Sequence, residues 1–368
     1  MYIQEVFIKH FRNLSDIDLL FHRQYNIIHG QNAQGKTNLV EALYYLSCAK
    51  SHRENAFVNL IHYEKEFALI RGVIHKHNIN SKIEILLEKN GKRKITIDEN
   101  NTSASMLYDE FAAVIFYPDD LRIIKDGPEK RRRYLDVSIS KINKNYKKAL
   151  REYYRLLKHR NYLLLEQKKG YEELLEIFDE QVALFGAYIT KKRVQYLAEI
   201  QQNIQKIHNE IAGGNEQISI RYQSVVLEKN TNTEELEQCY KMLLKEHFKE
   251  DSYRKITTQG IHKDDFHVFI NGRFAKQFGS QGQQKTAAIA LKLSEIELYE
   301  AHNGTRPIVL LDDVLSELDE QRQTRLLQML YKTQVFITAT ADEVKKEFHK
   351  TEYALFHIQE GKVNQTVQ

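Results

Sequence analysis

The sequence of 368 residues contains only two cysteines and no hydrophobic run long enough to cross a membrane. A spanning helix needs about 18 or more consecutive apolar residues. Cys48 and Cys239 cannot provide a metal-type spacing, and a single pair does not favour a disulfide framework. The N-terminus lacks the basic start and apolar core of a signal peptide. These absences predict a cytoplasmic protein with reduced cysteines.

Proline is also scarce, and its three occurrences are Pro118, Pro128 and Pro307. Residues 129–306 contain none, so this stretch can hold long helices without the breaks that proline causes. The formal net charge is +4, with 28% charged and 42% hydrophobic residues. This composition is typical of a globular protein with two or three domains. A surface that binds nucleic acid must therefore be a local basic patch.

The most informative segment that is present is residues 30–37, which match the phosphate-binding pattern G-x-x-x-x-G-K-[ST]. An apolar run at residues 25–28 precedes it and a helix-like stretch at residues 38–46 follows, as the motif requires. Lys36 is predicted to reach the β- and γ-phosphates of ATP, and the Thr37 hydroxyl to bind Mg²⁺. The alternative is an ordinary glycine turn before a helix. The predicted ATP-binding residues are Gly30, Gln31, Asn32, Ala33, Gln34, Gly35, Lys36, Thr37 and Asn38.

The two ends of the chain have the patterns of β-structure. The N-terminal part alternates apolar and polar residues with the period of a strand. The C-terminal part alternates strands with helices, which is typical of an α/β sheet. We predict an α/β fold in which a mixed sheet carries the phosphate loop and an antiparallel β lobe lies beside it. The main predicted strands lie at residues 6–8, 17–21, 67–73, 83–87, 94–98, 267–270, 308–311 and 335–337.

The middle of the chain has helical spacing. Apolar residues from Val182 to Ile211 recur every three, four or seven residues and end at the helix-stop pair Gly213-Gly214. A shorter stripe precedes them and ends at Gly170. We predict two antiparallel helices that form an inserted arm, the longer spanning about 45–50 Å. The alternative is two core helices of a compact bundle.

This insertion divides the chain into three parts. Residues 1–136 are predicted to form the N-terminal part of the head, with the phosphate loop and the β lobe. Residues 137–250 form the helical arm domain, and residues 251–368 complete the head. The insertion explains why the phosphate loop lies near the start of the chain while its sheet partners lie near the end.

Two carboxylates follow the apolar strand at residues 308–311. Ligands of open α/β sheets bind at the carboxyl ends of strands, so Asp312 is placed to bind Mg²⁺ together with Thr37. Asp313 is then placed to orient the attacking water or to accept its proton. The alternative is a surface turn that carries aspartate.

A second anion site is predicted at residues 278–285 (FGSQGQQK), which open another helix. Backbone N–H groups and a serine hydroxyl at a helix N-terminus attract phosphate. Two phosphate-binding turns in one chain suggest a dimer in which one turn from each protomer contacts a shared nucleotide. The alternative is a plain helix cap.

The order of these motifs resembles the ABC-type ATPases of chromosome maintenance, the SMC/Rad50 group, and within it the RecF family. Five segments carry the resemblance and span nearly the whole chain. The arm is far shorter than the tether of SMC or Rad50 proteins. The segments are residues 7–14 (FIKHFRNL), 30–37 (GQNAQGKT), 127–136 (GPEKRRRYLD), 278–285 (FGSQGQQK) and 311–319 (LDDVLSELD).

The resemblance implies an ABC-type P-loop ATPase head that closes head to tail on a second copy. Ser280, Gly282 and Gln283 would then contact the γ-phosphate bound by the partner. Ser316 and Asp319 would belong to a loop that communicates across the interface. Thr340 stands where transporter relatives usually carry a switch histidine, a departure that suits a slow ATPase.

The resemblance also implies a function, which is recombinational repair and replication restart at gaps. The expected activity is a weak, DNA-stimulated ATPase with ATP and Mg²⁺ as cofactors. ATP would drive dimerisation on double-stranded DNA and at junctions of single and double strands, and hydrolysis would release the dimer. RecR and RecO are the protein partners that the family implies.

Several basic clusters could contact DNA, because binding to the DNA backbone needs several cations and no base code. The alternative for each cluster is a solvated helix face, and the arginine run could instead support the ATP site or the dimer interface. The predicted contacts are Lys130, Arg131, Arg132, Arg133, Lys144 and Lys148.

Two other classes of ATPase fit the sequence less well. An ATPase subunit of a nuclease or defence system needs an additional metal domain, and we expect no room for one because the sequence ends about 30 residues past the strand at residues 335–337. A transporter ATPase subunit is disfavoured by the inserted arm and by Thr340.

Overall fold

The computed structural model describes residues 1–214, 216–226, 232–339 and 352–367. These residues form two compact units, one made of Met1–Asp120 with Glu295–Gln368 and the other of Leu121–Ser294. The first unit therefore combines both ends of the chain, and the second is inserted between them. The division at residues 136 and 250 stays a prediction.

The first unit contains two six-stranded sheets. One is mixed, in the order β15-β14-β3-β13-β12-β8, and its strands are parallel except for the antiparallel pair β14 and β15. Strand β3 leads into the phosphate loop and lies between β13 and β14. The strands of this sheet are β3 (Tyr25–His29), β8 (Ala113–Phe116), β12 (Ile308–Leu311), β13 (Val335–Ala339), β14 (Tyr353–Gln359) and β15 (Lys362–Val367).

The second sheet of this unit is antiparallel, in the order β2-β1-β4-β5-β6-β7. Alternate side chains of β4 are buried, as the period-two pattern of residues 67–73 predicts. The predicted antiparallel lobe is therefore present. Its strands are β1 (Tyr2–Lys9), β2 (Ile17–Leu20), β4 (Phe67–Lys76), β5 (Ile79–Glu88), β6 (Arg93–Ile97) and β7 (Asn100–Asn101).

Helix α1 (Lys36–Cys48) follows the phosphate loop, and eleven of its residues are buried in the core of the first unit. Its apolar side chains join the same hydrophobic cluster as residues of both sheets, including Ile70 and Phe336. The loop is therefore anchored at its helical end by a fully packed helix. Among the described residues, this unit also contains α2 (Leu107–Glu110), α10 (Glu320–Met329) and the C-terminal part of a helix that begins in the second unit.

The second unit is mainly helical, with a three-stranded antiparallel sheet in the order β11-β10-β9. Helix α9 runs into the first unit from Glu295 onward. The helices are α3 (Pro128–Ile142), α4 (Lys144–Glu166), α5 (Tyr171–Ala212), α6 (Thr233–Glu246), α7 (Phe248–Arg254), α8 (Ala275–Phe278) and α9 (Gln281–Asn303), and the strands are β9 (Ile218–Gln223), β10 (Asp265–Ile270) and β11 (Arg273–Phe274).

The two inserted helices predicted from the sequence are α4 and α5, joined by a short turn at Gly170. Helix α5 has 42 residues and so a length of about 63 Å at about 1.5 Å per residue. It is longer than predicted because the helix begins at Tyr171, ahead of the regular apolar stripe. It packs against α4, α6 and β9, so much of its length lies inside the helical unit.

Two arginines are fully buried in this unit. Arg160 of α4 pairs with Asp179 at 2.6 Å and with Asp251 at 2.7 Å. Arg193 of α5 pairs with Asp136 at 2.8 Å. Because removal of one partner leaves an uncompensated buried charge, loss of either arginine's partners is expected to destabilise the helical unit. Among the described helices, none is both long and apolar enough to span a bilayer.

Candidate nucleotide-binding site

The phosphate loop connects β3 to α1, as the motif predicts. Gly30 has a φ of 150°, and a Cβ at this position would collide with the carbonyl oxygen of Ile358 in β14. Gly35 caps α1 with a φ of 121°. Both positions need glycine, since a side chain would disturb the path of the loop. The N-terminus of α1 therefore opens directly on the loop, which is the arrangement that binds phosphate.

Lys36 is buried, and its side chain turns back over the loop. Its Nζ donates to the carbonyl oxygen of Gly30 at 2.7 Å and to that of Gln31 at 3.2 Å. A third polar contact joins Nζ to Oδ1 of Asn32 at 3.5 Å. The ammonium is thus held above the loop, where it can neutralise phosphate charge.

Thr37 and Asp312 meet in the folded chain. The Thr37 Oγ1 donates to Asp312 Oδ1 at 3.1 Å, and Asp312 directly follows β12. The pKa of Asp312 is raised to about 6, mainly by burial and also by the charge of Asp313, while hydrogen bonds from Thr37 and Thr338 reduce the shift. A hydroxyl and a carboxylate are oxygen ligands of the type that Mg²⁺ takes beside substrate phosphates, so these residues fit the ion.

Asp313 differs from Asp312 in exposure and in backbone conformation. Its side chain is exposed, and its φ of 53° lies in the left-handed region. The Asp313 N–H donates to Thr338 Oγ1 at 2.7 Å, and the same hydroxyl lies 3.2 Å from a carboxylate oxygen of each aspartate. The Thr338 hydroxyl therefore holds the backbone at Asp313 and can donate its one proton to either carboxylate, while the Asp313 side chain stays exposed.

Two arginines contact side chains of α1 beside the loop. The buried Glu41 accepts two hydrogen bonds of 3.0 Å from Arg12, in the bidentate geometry that fixes a guanidinium. Arg53 donates to Asn38 Oδ1 at 3.1 Å and lies 3.6 Å from Glu41. Its charge also lowers the pKa of Asp312. Arg53 therefore lies beside the candidate nucleotide site, at a position that none of the sequence motifs covers.

The turn between β14 and β15 supports the phosphate loop from outside. The Gly361 N–H donates to the Gln34 carbonyl at 3.1 Å, and the Glu360 N–H donates to Gln34 Oε1 at 2.6 Å. Asn13 donates to the same Gln34 carbonyl at 3.2 Å and accepts from Asn38 at 2.7 Å. The loop is thus tied to the N-terminal segment and to the last strands of the chain.

The predicted second anion site begins helix α9. Ser280 N–H donates to Gln283 Oε1 at 2.8 Å, and Gln283 N–H donates to Ser280 Oγ at 3.2 Å. This reciprocal pair is a capping box. The cap uses Ser280 Oγ as an acceptor, so the hydroxyl proton can still be donated outward. Ser280 is exposed, and Gly282 and Gln283 are partly exposed.

The loop after Asp313 ends at the start of α10. Ser316 Oγ donates to the Asp313 carbonyl at 2.9 Å, and Asp319 caps α10 by accepting from the Arg322 N–H at 3.0 Å. That backbone hydrogen bond lowers the pKa of Asp319. Both predicted interface-loop residues are exposed. Thr340 lies outside the described residues.

The predicted basic residues have different surroundings. Arg131 is buried, bonds to Asp265 at 2.7 and 2.9 Å, and donates to carbonyls of the preceding turn. It therefore joins α3 to β10 and is not part of an exposed surface. Lys130 pairs with Asp126 at 2.7 Å, and Arg132 donates to the Asp264 carbonyl at 2.9 Å. The exposed members are Arg133, Lys144 and Lys148.

Residues that the sequence analysis missed are Thr338, Asn13 and Gly361. Thr338 has a recognisable signal, since it is a polar residue in the otherwise apolar strand β13 next to the strand that ends at Asp312. Asn13 lies within a segment that carries the family resemblance. Gly361 has no local signal, because its role depends on a loop more than 300 residues away in the sequence.

The sequence is similar to a known protein family over nearly its whole length. A family model described as the RecF/RecN/SMC N terminal domain matches residues 2–364. The DNA replication and repair protein RecF of Clostridium acetobutylicum is 37% identical over 364 residues, covering 99% of both chains. The protein of the same name from Clostridium kluyveri is 39% identical over 367 residues, covering 99% of this chain and 100% of that one.

Two solved structures are similar to this chain in fold. One, described as the recombination mediator protein RecF-ATP in RecFOR pathway, has a TM-score of 0.91 and 37% identity, and covers 100% of this chain and 98% of that one. The Smc head domain of Pyrococcus furiosus has a TM-score of 0.56 at 15% identity, covering 100% of this chain and 96% of that one. The second likeness shows a shared fold.

Proposed function

This chain belongs to the RecF family of the SMC/Rad50-like ABC ATPases, and we propose that it is a DNA-binding ATPase of replication and recombinational repair. ATP binding closes two copies on DNA, and hydrolysis of ATP releases them. The relatives are named as replication and repair proteins, and a similar solved structure is described as RecF-ATP. The predicted ABC-type head, with its β lobe and helical insertion, is confirmed.

The contact between Thr37 and Asp312, at 3.1 Å, carries this proposal. It brings the phosphate loop and the acidic end of β12 into one site with Lys36. Mg²⁺, when bound to Thr37 and Asp312 together with ATP, neutralises phosphate charge during hydrolysis. Lys36 attracts the phosphates, and Asp313 orients the attacking water.

We assign the second anion site to the nucleotide held by the partner copy. Ser280 is exposed, and its hydroxyl can donate to a phosphate oxygen while it caps α9. The N-terminal N–H groups of α9 add to the same attraction, since the positive end of a helix favours anions. A composite site of this kind is complete only in a dimer, so ATP bound to one copy favours dimerisation.

DNA contacts are assigned to the start of α3 and of α4. The proposed residues are Lys130, Arg132, Arg133, Lys144 and Lys148, without the buried Arg131. Such contacts neutralise phosphates of the duplex, so affinity falls steeply as the salt concentration rises. The preferred targets are double-stranded DNA and junctions with single strands at gaps. RecR and RecO are the proposed protein partners, because a related structure is described in the RecFOR pathway.

The test is ATP-dependent dimerisation, measured by analytical ultracentrifugation with and without gapped duplex DNA. The wild-type protein is expected to dimerise with ATP, and DNA to strengthen the dimer. Lys36→Ala is expected to stay monomeric because it cannot hold the phosphates. If Lys36→Ala dimerises with ATP as the wild type does, ATP binding does not control closure and the proposal is wrong.

A further inference from the structure

The side chain of Gln283 is held by a residue outside its own helix. Its Nε2 donates to Glu216 Oε1 at 2.7 Å, while its Oε1 accepts from the Ser280 N–H at 2.8 Å. Glu216 lies in the loop between α5 and β9. Both ends of the Gln283 amide are therefore engaged, one by the cap of α9 and the other by a carboxylate that belongs to the end of the long helix.

Glu216 is itself held by the long helix. Its second carboxylate oxygen, Oε2, lies 2.9 Å from Nε2 of His208, which is fully buried in α5. Its carbonyl accepts from Gln205 Nε2 at 2.7 Å, and Gln205 Oε1 accepts from the Ile218 N–H at 2.9 Å. The loop is thus fastened to α5 through the Glu216 carboxylate and through backbone groups of Glu216 and Ile218, so contacts with that helix hold Glu216 in position.

The chemistry of a carboxamide makes this contact directional. An amide offers an acceptor at one end and donors at the other, whereas an ionised carboxylate can only accept. Glu216 therefore forces the NH₂ end of Gln283 toward itself and the oxygen toward the Ser280 N–H. If the Gln283 amide were reversed, its NH₂ group would face the Ser280 N–H. The capping box would then lose the bond from the Ser280 N–H to the Gln283 oxygen.

We infer that Glu216, positioned by His208, is a positioning residue for the Ser280 turn. By fixing the orientation of the Gln283 amide it keeps the turn in the shape that presents the Ser280 hydroxyl to ATP held by a second copy. This inference rests on the proposed composite site. It also gives the long helix α5 a direct connection to that turn, because His208 of α5 contacts the Glu216 carboxylate that bonds to Gln283.

The test compares substitutions of Glu216 by ATP-dependent dimerisation and by nucleotide affinity of the monomer. Glu216→Ala removes the acceptor and is expected to weaken dimerisation about tenfold, as for loss of a charge-assisted hydrogen bond. Nucleotide affinity, measured at protein concentrations where the chain is monomeric, is expected to stay unchanged. Glu210→Ala is the matched control, because Glu210 is an exposed glutamate near the end of α5. Its carboxylate lies 3.8 Å from Lys206, which is a long distance for an ion pair.

Two further variants separate positioning from folding. His208→Gln keeps a donor toward Glu216 and is expected to dimerise nearly as the wild type, whereas His208→Leu removes the donor and is expected to behave like Glu216→Ala. In a double-mutant cycle, Glu216→Ala and Gln283→Ala are expected to be non-additive, since each removes the same bond. Additive losses would show that the two residues act separately and would overturn the inference.

The outcomes distinguish this inference from the proposed function. If Ser280→Arg blocks dimerisation but Glu216→Ala dimerises like the wild type, the composite site stands and the role of Glu216 is wrong. If Ser280→Arg also dimerises normally, the composite site itself is wrong. If Glu216→Ala loses monomer nucleotide affinity or thermal stability in proportion to dimerisation, Glu216 acts on folding and the inference is overturned.

Discussion

The Thr37 hydroxyl donates a 3.1 Å hydrogen bond to Asp312, a residue 275 positions later in the chain. This contact makes one site from two motifs that are separate in the sequence. Asp312→Asn keeps the shape of the side chain but removes the charge that is proposed to hold Mg²⁺. We expect ATP hydrolysis to fall by about 100-fold or more, because phosphoryl transfer depends on electrostatic stabilisation.

The measurement for Asp312→Asn is steady-state hydrolysis over a magnesium titration, with ATP affinity determined in parallel. Affinity is expected to change far less than hydrolysis, since Lys36 and the loop N–H groups remain. Wild-type hydrolysis in Asp312→Asn at saturating magnesium would show that this carboxylate is not a magnesium ligand.

Thr338 is expected to affect catalysis without contacting ATP. Thr338→Val removes the hydroxyl that accepts from the Asp313 N–H and contacts both carboxylates, so the direction of Asp313 is no longer fixed. We expect about tenfold slower hydrolysis with unchanged ATP affinity, as for loss of a buried hydrogen-bond partner. Thr338→Ser is expected to restore hydrolysis because it keeps the hydroxyl. Equal rates for the valine and serine variants would exclude this role.

The β14–β15 turn is expected to control nucleotide affinity through the phosphate loop. At Gly361, with a φ of 73°, a Cβ would collide with the carbonyl of Asn13 and displace the N–H that bonds to Gln34. Gly272 has the same φ of 73° with nothing within 4 Å of an added Cβ, so Gly272→Ala is a matched control for backbone strain.

Calorimetric titration with ATP is expected to show weaker binding for Gly361→Ala and wild-type binding for Gly272→Ala. Both substitutions are expected to cost about 1 kcal/mol of stability from the left-handed backbone alone. Unchanged ATP binding by a folded Gly361→Ala protein would mean that the turn does not support the loop.

The stability of the helical unit is expected to depend on pH through His262. Its Nδ1 lies 3.0 Å from Tyr153 Oη and its Nε2 lies 3.1 Å from the Thr257 carbonyl, an arrangement that fits the neutral ring. Burial lowers the pKa of His262 to about 4. As the pH falls, His262 is protonated in the unfolded state before it is protonated in the folded state. Its contribution to the free energy of unfolding is therefore full above about pH 6.5 and is lost as the pH drops toward 4.

This loss is expected to reach at most about 3 kcal/mol of unfolding free energy at pH 4. The measurement is urea unfolding of the wild type and of His262→Gln between pH 7 and pH 4. Glutamine can keep both hydrogen bonds but does not titrate, so its stability curve is expected to be flatter. Parallel curves for the two proteins would contradict a role for His262.

Local motifs predicted the secondary structure around the candidate site. The phosphate loop, α1 and the aspartates after β12 follow from short patterns, because each depends on backbone conformation within a few residues. The alternation of β4 and β5 likewise predicted their antiparallel sheet, since only one face of each strand is buried. These parts of the fold could be predicted because the physical cause lies inside the segment.

The remaining parts depend on partners that are distant in the sequence. Arg131 belongs to a run of four cations, and nothing local shows that it turns inward to Asp265. The sequence around Glu216 likewise does not indicate its contact with Gln283. The strands β14 and β15 have no motif, yet β14 completes the sheet beside β3 and the turn after it contacts the phosphate loop.

The central claim is that each ATP is held by the phosphate loop of one copy and the Ser280 turn of the other. Its most direct test mixes Lys36→Ala with Ser280→Ala and measures DNA-stimulated hydrolysis. Each variant alone has two defective sites, whereas a mixed dimer has one site with both residues intact. The composite site predicts that the mixture is more active than either variant alone. A mixture no more active than the better of the two variants would contradict it.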